Sequence, residues 1–235
     1  MNDNYYAAPM SAAEAAPADR ATFIRRTYVH LAGAILAFGL VEAALLRIPG
    51  ITETVGRFMG GGISWLLVLA AFMAVSWIAD KWAHSDTSVG MQYAGLGLYV
   101  VAQAVLFLPL VITAQFLVGD NTIIYKAVGT TFVIFGGLTG VVLTTRKDFS
   151  FLSGFLKFAF FAALGAIVLS LVFGFPLGIW FSVIMVLVAG AMVLYQTSQI
   201  LHQYGTEQHV AASLGLFASF ALLLWYVLQI FMSRE

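Results

Sequence analysis

Seven long apolar runs, separated by short polar segments, dominate the pattern along the chain. They cover Thr27–Leu46, Gly61–Ala79, Met91–Val118, Thr122–Leu143, Phe151–Phe173, Leu177–Tyr195 and Val210–Met232. A helix that crosses a bilayer needs about 20 mostly apolar residues. Only helices and closed barrels satisfy their own backbone hydrogen bonds in lipid, and these runs are too long and too uniformly apolar for barrel strands. The pattern predicts an all-α, polytopic membrane protein built as a bundle of seven transmembrane helices.

The composition agrees with a membrane protein. Hydrophobic residues make up 61% of the 235 residues and charged residues 9%, with a mean hydropathy of +0.95. Soluble domains have about 45–50% apolar and about 25% charged residues, so a soluble globule could not cover its surface with so few charges. The 11 basic and 11 acidic residues balance, which gives no net charge to attract nucleic acid. The expected partner is therefore the lipid bilayer.

Two regions differ in composition and divide the chain. Residues 1–21 are polar and rich in alanine, and they lack the apolar core of about 7–15 residues that a cleaved signal peptide needs. This segment is predicted to be a disordered polar tail. Residues 22–235 are predicted to form the seven-helix transmembrane domain.

Basic residues beside the spans predict the orientation. The side that holds the amino terminus carries six of them: Arg20, Arg25, Arg26, Lys81, Arg146 and Lys147. The opposite side carries four: Arg47, Arg57, Lys126 and Arg234. Because cytoplasmic loops are enriched in lysine and arginine, the amino terminus is predicted to be cytoplasmic, and an odd number of spans then places the carboxyl terminus outside.

Ionisable side chains inside a span are costly and are candidates for function. Glu42 lies 16 residues after Arg26, which is about 24 Å along a helix. This position near the outer interface favours pairing with Arg47, and a role in an ion path is the alternative. His30 follows Arg26 by one turn and is interpreted as an interfacial histidine.

Motifs of enzymes and metal sites are missing from the sequence. There is no Gly-x-Ser-x-Gly elbow, no His-Glu-x-x-His and no Gly-x-Gly-Asp. The chain has no cysteine, which rules out disulfides and thiolate ligands. His202 and His209 lack a third ligand at metal spacing. We therefore expect no catalytic residue, no metal site and no cofactor, and we predict that the protein is not an enzyme.

Several segments, in their order and spacing, resemble one family. They are Phe23–Tyr28 before the first span, Gln103-Ala104 and Leu108–Leu110 in the third, Thr144–Ser150 after the fourth, and Leu194–Ile200 at the end of the sixth. Together they resemble the Bax inhibitor family, also called the transmembrane Bax-inhibitor-motif proteins, in its bacterial YccA-like branch. The resemblance covers nearly everything after residue 20.

The resemblance implies a bundle with the last span near its centre and a location in the bacterial inner membrane. It also implies a pair of hydrogen-bonded aspartates, near the ends of the sixth and seventh spans, that gates a calcium leak by protonation. This chain has Gln196 and Ser219 at those two positions. Neither side chain titrates near neutral pH, so the pH-gated calcium mechanism is not expected here. Gln103 joins Glu42 and His30 as a further intramembrane polar candidate.

Two functions remain open from the sequence. The first, which is the preferred interpretation, is a permeation pathway for an ion or small solute, without the family's di-aspartate sensor of pH and calcium. The second is a regulatory membrane protein that transports nothing and binds another membrane protein, such as a membrane-bound protease. The resemblance to the YccA-like branch suggests the second.

Overall fold

A computed structural model describes residues 11–59, 62–85 and 88–234. Within these ranges the chain forms eight helices: α1 (Pro17–Leu45), α2 (Ile51–Met59), α3 (Gly62–Ala83), α4 (Val89–Val118), α5 (Thr122–Thr145), α6 (Leu152–Phe173), α7 (Gly178–His202) and α8 (His209–Met232). All except α2 are long and apolar enough to cross a membrane. The prediction of an all-α polytopic protein with seven transmembrane helices is confirmed. Gly61, the first residue of the predicted second span, lies outside the described residues.

The segment before α1 packs against the loop between α7 and α8. The backbone N–H of Ala12 donates to the carbonyl oxygen of Tyr204 at 2.9 Å. The Arg20 guanidinium donates to the carbonyl oxygens of Ala12 at 2.7 Å and of Ala13 at 2.8 Å. Ala12 is fully buried. These contacts tie the segment to the end of the bundle.

α1 begins ten residues earlier than the apolar pattern indicates, at Pro17 rather than Thr27. Proline suits the first turn of a helix because its fixed φ is already helical and its missing N–H would have no partner there. The predicted disordered tail is therefore corrected for residues 11–21, which are ordered and partly helical. Its residues 1–10 lie outside the described part of the chain.

α7 is longer than predicted and ends at His202 rather than at Tyr195. Its added turns carry polar side chains that nevertheless face the interior, and Thr197 and Ser198 are fully buried. Ser198 is buried with partners, since its hydroxyl accepts the backbone N–H of Phe149 at 2.9 Å. The helix continues through these polar residues because Ser198 has a hydrogen-bond partner inside the bundle. The drop in hydropathy after Tyr195 therefore does not mark the end of α7.

α2 is a short amphipathic helix that the search for long apolar runs missed. Ile51 and Val55 are half-buried on one side, while Glu53 and Arg57 are exposed. This one-sided pattern is typical of a helix that lies along a membrane surface. α2 contacts α3 and α4.

α8 occupies the centre of the bundle. It packs against α1, α3, α4, α5 and α7, and its large side chains Phe217, Phe220 and Leu223 are almost completely buried. α6 is the most peripheral span, since its contacts are with α7 and, sparsely, with α3. The centre of the protein is therefore helix against helix, with one loosely attached span at the side.

The tightest crossing joins α3 to α4 at a glycine. A Cβ atom on Gly95 would lie 2.5 Å from the carbonyl oxygen of Ala79 and 2.7 Å from the backbone nitrogen of Ala83. Gly97, two residues further, has open space around it. The missing side chain at position 95 allows the two backbones to approach, as small residues commonly do between membrane helices.

Candidate functional site

Gln196 and Ser219 approach the same glycine on α8. The Ser219 hydroxyl donates to the carbonyl oxygen of Gly215 at 2.9 Å, and the serine is almost fully buried. A Cβ atom on Gly215 would lie 2.8 Å from the side-chain oxygen of Gln196. The glycine therefore makes room for the glutamine amide one turn from the serine. These two groups can form hydrogen bonds but cannot supply charge.

Three hydroxyl groups lie near one another on α1, α5 and α7. They belong to Tyr28, Thr139 and Thr197. All three oxygen atoms are buried, and none forms a hydrogen bond of good geometry within the described residues. Buried hydroxyls normally have a partner, and such a group has the donors and acceptors to hold a water molecule. Sequence analysis did not single out these residues, because ordinary Tyr and Thr residues in spans carry no signal of their own.

His30 takes part in a cluster rather than standing alone at the interface. Its Nδ1 lies 2.7 Å from the carbonyl oxygen of Arg26, and its Nε2 lies 2.8 Å from the Tyr93 hydroxyl. A carbonyl can only accept, so Nδ1 of His30 carries a proton. The ring of His209 lies 4.9 Å away, centroid to centroid. The cluster joins α1, α4 and α8 at the amino-terminal end of the bundle.

Glu42 is buried in α1 with 7% of its surface exposed. Neither carboxylate oxygen has a hydrogen-bond partner within the described residues. The predicted pairing with Arg47 is wrong, because the part of the chain that the structure describes contains a single ion pair, between Asp80 and His84. Position 42 lies on the side of α1 that faces other helices, which keeps it away from the surface where Arg47 is exposed.

Gln103 lines a cavity of about 560 Å³ between α3, α4, α6, α7 and α8. The walls are mostly apolar, with Trp65 and Trp225 stacked at 6.4 Å between ring centroids. At the end away from the amino terminus, the Ser182 hydroxyl donates to the side-chain oxygen of Gln229 at 2.9 Å. The cavity combines a large apolar surface with a few uncharged polar groups, which suits a small amphiphile or lipid chain.

Asp148 fastens the α5–α6 loop to the end of α7. Its Oδ1 accepts from the backbone N–H of Ser150 at 2.8 Å, from the Ser150 hydroxyl at 2.5 Å, and from the Ser198 hydroxyl at 3.3 Å. The hydrogen bonds from Ser150 lower the pKa of Asp148, with smaller contributions from Ser198 and His202. The loop is thus held by a carboxylate whose ionised form accepts these donors more strongly than its protonated form would.

We expect Asp148→Asn to loosen this loop. A lowered pKa means that the contribution of Asp148 to stability is present above its ordinary value and is lost as the pH falls through the folded-state value. The asparagine variant should raise amide hydrogen exchange at Phe149 and Ser150 several-fold at neutral pH. Asp120→Asn is the matched control, because Asp120 accepts only from Thr122 within its own loop. Equal exchange in Asp148→Asn and the parent protein would contradict the role of the charge.

The described residues contain no cluster of three or more His, Asp or Glu side chains that could hold a metal ion. His30 and His209 form only a pair. His202, seven residues before His209, instead points its ring back to the carbonyl oxygen of Ser198. The polar side chains in the interior of the described bundle are mostly uncharged.

Seven apolar helices, with the last of them buried at the centre of the bundle, define a polytopic α-helical membrane protein. A family model described as "Inhibitor of apoptosis-promoting Bax1" matches residues 20–235. The chain belongs to this family, the Bax inhibitor family. The resemblance expected from the sequence is confirmed.

Bacterial relatives place the chain in the YccA-like branch. It is 34% identical to an uncharacterized protein, PA2604, of Pseudomonas aeruginosa over 88% of this chain and 87% of that protein. It is 26% identical to YccA of Escherichia coli K12, named a modulator of FtsH protease, over 83% of each chain. It is 29% identical to an uncharacterized protein, PM0402, of Pasteurella multocida over 83% of this chain and 82% of that protein.

Proposed function

We propose that this protein is a multi-pass protein of the bacterial inner membrane that regulates a membrane-bound protease. The observation that carries the proposal is its similarity to a protein named as a modulator of such a protease, over 83% of both chains. The interior supports a role without transport: α8 packs against five other helices, and the positions of the family's aspartates carry Gln196 and Ser219.

The amino-terminal end of the bundle offers an ordered surface for such a partner. Residues 11–16 are held to the start of α1 by Arg20 and to the α7–α8 loop by the bond from Ala12 to Tyr204. A partner that contacts this surface would touch the ends of α1, α7 and α8 together. Because α8 packs against most of the other spans, this surface is joined to the core of the protein.

The test is reconstitution of the full chain with a purified membrane-bound protease in liposomes. We expect the degradation rate of a membrane substrate to change at least about twofold, and a soluble substrate to be affected less. Arg20→Gln, which removes the bonds to residues 12 and 13, should reduce the effect, whereas Arg57→Gln on the exposed side of α2 should not. An unchanged rate at molar excess of the parent protein would overturn the proposal.

The proposed orientation has the amino terminus in the cytoplasm, from the six basic residues on that side against four on the other. With seven spans the carboxyl terminus should be periplasmic. Reporter fusions at both ends measure this directly. A cytoplasmic signal from the carboxyl-terminal fusion would exclude either this orientation or one of the spans.

A permeation pathway is the second candidate, and the cavity that reaches Gln103 from the end opposite the amino terminus favours it. The unpartnered Glu42 is a second supporting feature. A flux panel of several ions, with purified protein in liposomes, tests it. If no ion crosses faster than it does in protein-free liposomes, the permeation pathway is excluded.

If the protein passes calcium, we expect that side chains of α7 and α8 do not make the flux depend on pH. Gln196 and Ser219 do not ionise in the range of about pH 6–8 in which histidines ordinarily titrate. The measurement is calcium entry with His202 and His209 both replaced by glutamine, first alone and then with aspartate at positions 196 and 219. We expect a flat profile for the first protein and a pH-dependent one for the second. A steep pH profile in the first protein would show that another group gates the flux. His30 and Glu42 would then be the first residues to test.

A further inference from the structure

A second, smaller pocket lies at the amino-terminal end of the bundle and carries positive charge. It has a volume of about 250 Å³ and lies between α1, the end of α5 and the end of α7. Its polar lining comes from Arg20, Arg146 and His202. Two arginines and a histidine around one small space favour an anion.

Among the described residues, no carboxylate neutralises the charge of either arginine. Within the described ranges, neither Arg20 nor Arg146 forms an ion pair. Arg20 uses Nε and Nη2 to hold backbone carbonyls, which leaves Nη1 without a hydrogen bond among the described residues. The guanidinium is therefore fixed in place and still has a donor to offer.

The acidic groups nearest the pocket are already engaged. Asp148 interacts with His202, but its oxygen accepts from Ser150 and Ser198. Glu14 accepts from the backbone N–H of Ser11. The positive side chains outnumber the acidic ones, and none of the acidic side chains lines the pocket.

The apolar lining lies one turn deeper than the charges. Ile24 follows Arg20 by four residues, about 6 Å along α1, and Leu143 precedes Arg146 by three on α5. α1 and α5 each pack against α8 and hardly contact one another. The pocket therefore has cationic side chains at the level of the helix ends and apolar side chains below them, between two helices that hardly contact one another.

We propose that this pocket binds the headgroup of an anionic phospholipid, with the phosphate against Arg20 and Arg146 and the upper acyl chain along Ile24 and Leu143. A basic pocket between membrane helices, at the level of the headgroups, is a known form of lipid site. The apolar side chains of Ile24 and Leu143 favour a lipid over a free phosphate. A soluble anion has no acyl chain to pack against them. The proposal does not rest on a role with a protease or in permeation, although Arg20 also holds the surface proposed for the protease.

Native mass spectrometry of the full chain measures the binding of phosphatidylglycerol, phosphatidylcholine and glycerol phosphate. We expect phosphatidylglycerol to bind best and glycerol phosphate to bind at least about tenfold more weakly. Equal binding of phosphatidylcholine would overturn the proposal. Equal binding of glycerol phosphate would overturn the lipid as the source of the phosphate.

Arg146→Asn and Lys147→Asn form the matched pair of variants. Arg146 has a left-handed backbone with φ 53°, which asparagine adopts readily, and both variants lose one positive charge from the same loop. Arg146→Asn should weaken phosphatidylglycerol binding at least about fivefold, the effect of about 1 kcal/mol for one basic residue near the membrane surface. Lys147 does not line the pocket, so Lys147→Asn should change phosphatidylglycerol binding less than about twofold. An equal loss in both variants would indicate a diffuse charge effect and overturn the site.

A third variant separates binding from folding. Arg146→Lys keeps the charge and the backbone strain, so it should retain more binding than Arg146→Asn while losing the bidentate contact. All three variants should elute as the parent protein does in phosphatidylcholine micelles. If Arg146→Lys binds no better than Arg146→Asn, position 146 acts through the structure of the loop, and the proposed contact with phosphate is overturned.

Discussion

Alanine at position 95 is expected to force α3 and α4 apart and to lower the stability of the bundle by about 3 kcal/mol, the upper end for overpacking. The added Cβ would lie 2.5 Å from the carbonyl oxygen of Ala79 and 2.7 Å from the backbone nitrogen of Ala83. Backbone atoms cannot rotate away as the end of a side chain can. The helices must therefore separate, which also disturbs the burial of Ala79 and Ala83.

The apparent melting temperature in detergent measures this effect, with Gly97→Ala as the control. Gly97 lies two residues away on the same helix and has no atom near the position of an added Cβ. Alanine there should be neutral or stabilise by up to about 1 kcal/mol, because alanine is the better helix former. A loss of similar size in both variants would mean that α4 is sensitive to substitution in general, and that the close approach at Gly95 is not the cause.

Replacing Glu42 by methionine is expected to stabilise the protein by about 2 kcal/mol. Both oxygens of this carboxylate are buried without a hydrogen-bond partner within the described residues. A buried polar group without a partner costs at least about 1–3 kcal/mol, and methionine has a similar volume and adapts to the site. The apparent melting temperature should therefore rise.

Glu53→Met on the exposed side of α2 is the control and should change the melting temperature little. The same pair of variants tests the alternative in which Glu42 belongs to an ion path. If Glu42→Met stabilises the protein and also abolishes a flux seen in the parent, the carboxylate is retained for permeation. If it destabilises the protein, Glu42 has a stabilising partner in the membrane, and the prediction is wrong.

The apolar runs were enough to predict the fold class, because the thickness of the bilayer imposes a length that only a span satisfies. The helix ends were less predictable. α1 extends back to Pro17 through a segment that is polar enough to suggest disorder, and α7 continues past Tyr195 because Ser198 finds a partner in Phe149. Hydropathy describes the free energy of moving a side chain from water into lipid. These residues instead contact other parts of the protein, so hydropathy does not predict where their helices end.

The candidate site was predictable only in part. Gln196 and Ser219 were identified from the order of motifs, and the structure brings both against Gly215. The contact between His30 and His209 could not be predicted, since it joins residues 179 positions apart. Nothing in the local pattern of either histidine indicates the other, and the contact depends on α8 lying beside α1. Contacts between distant helices follow from packing, which a single sequence does not display.

The central position of α8 has a consequence for how the protein is made. A chain leaves the ribosome from its amino terminus, so α8 emerges after the other seven helices, yet it packs against α1, α3, α4, α5 and α7. The earlier spans are therefore in the membrane before their common neighbour is inserted. A nonsense mutation before His209 would therefore remove the shared partner of five helices, and insertion of this single span completes the assembly.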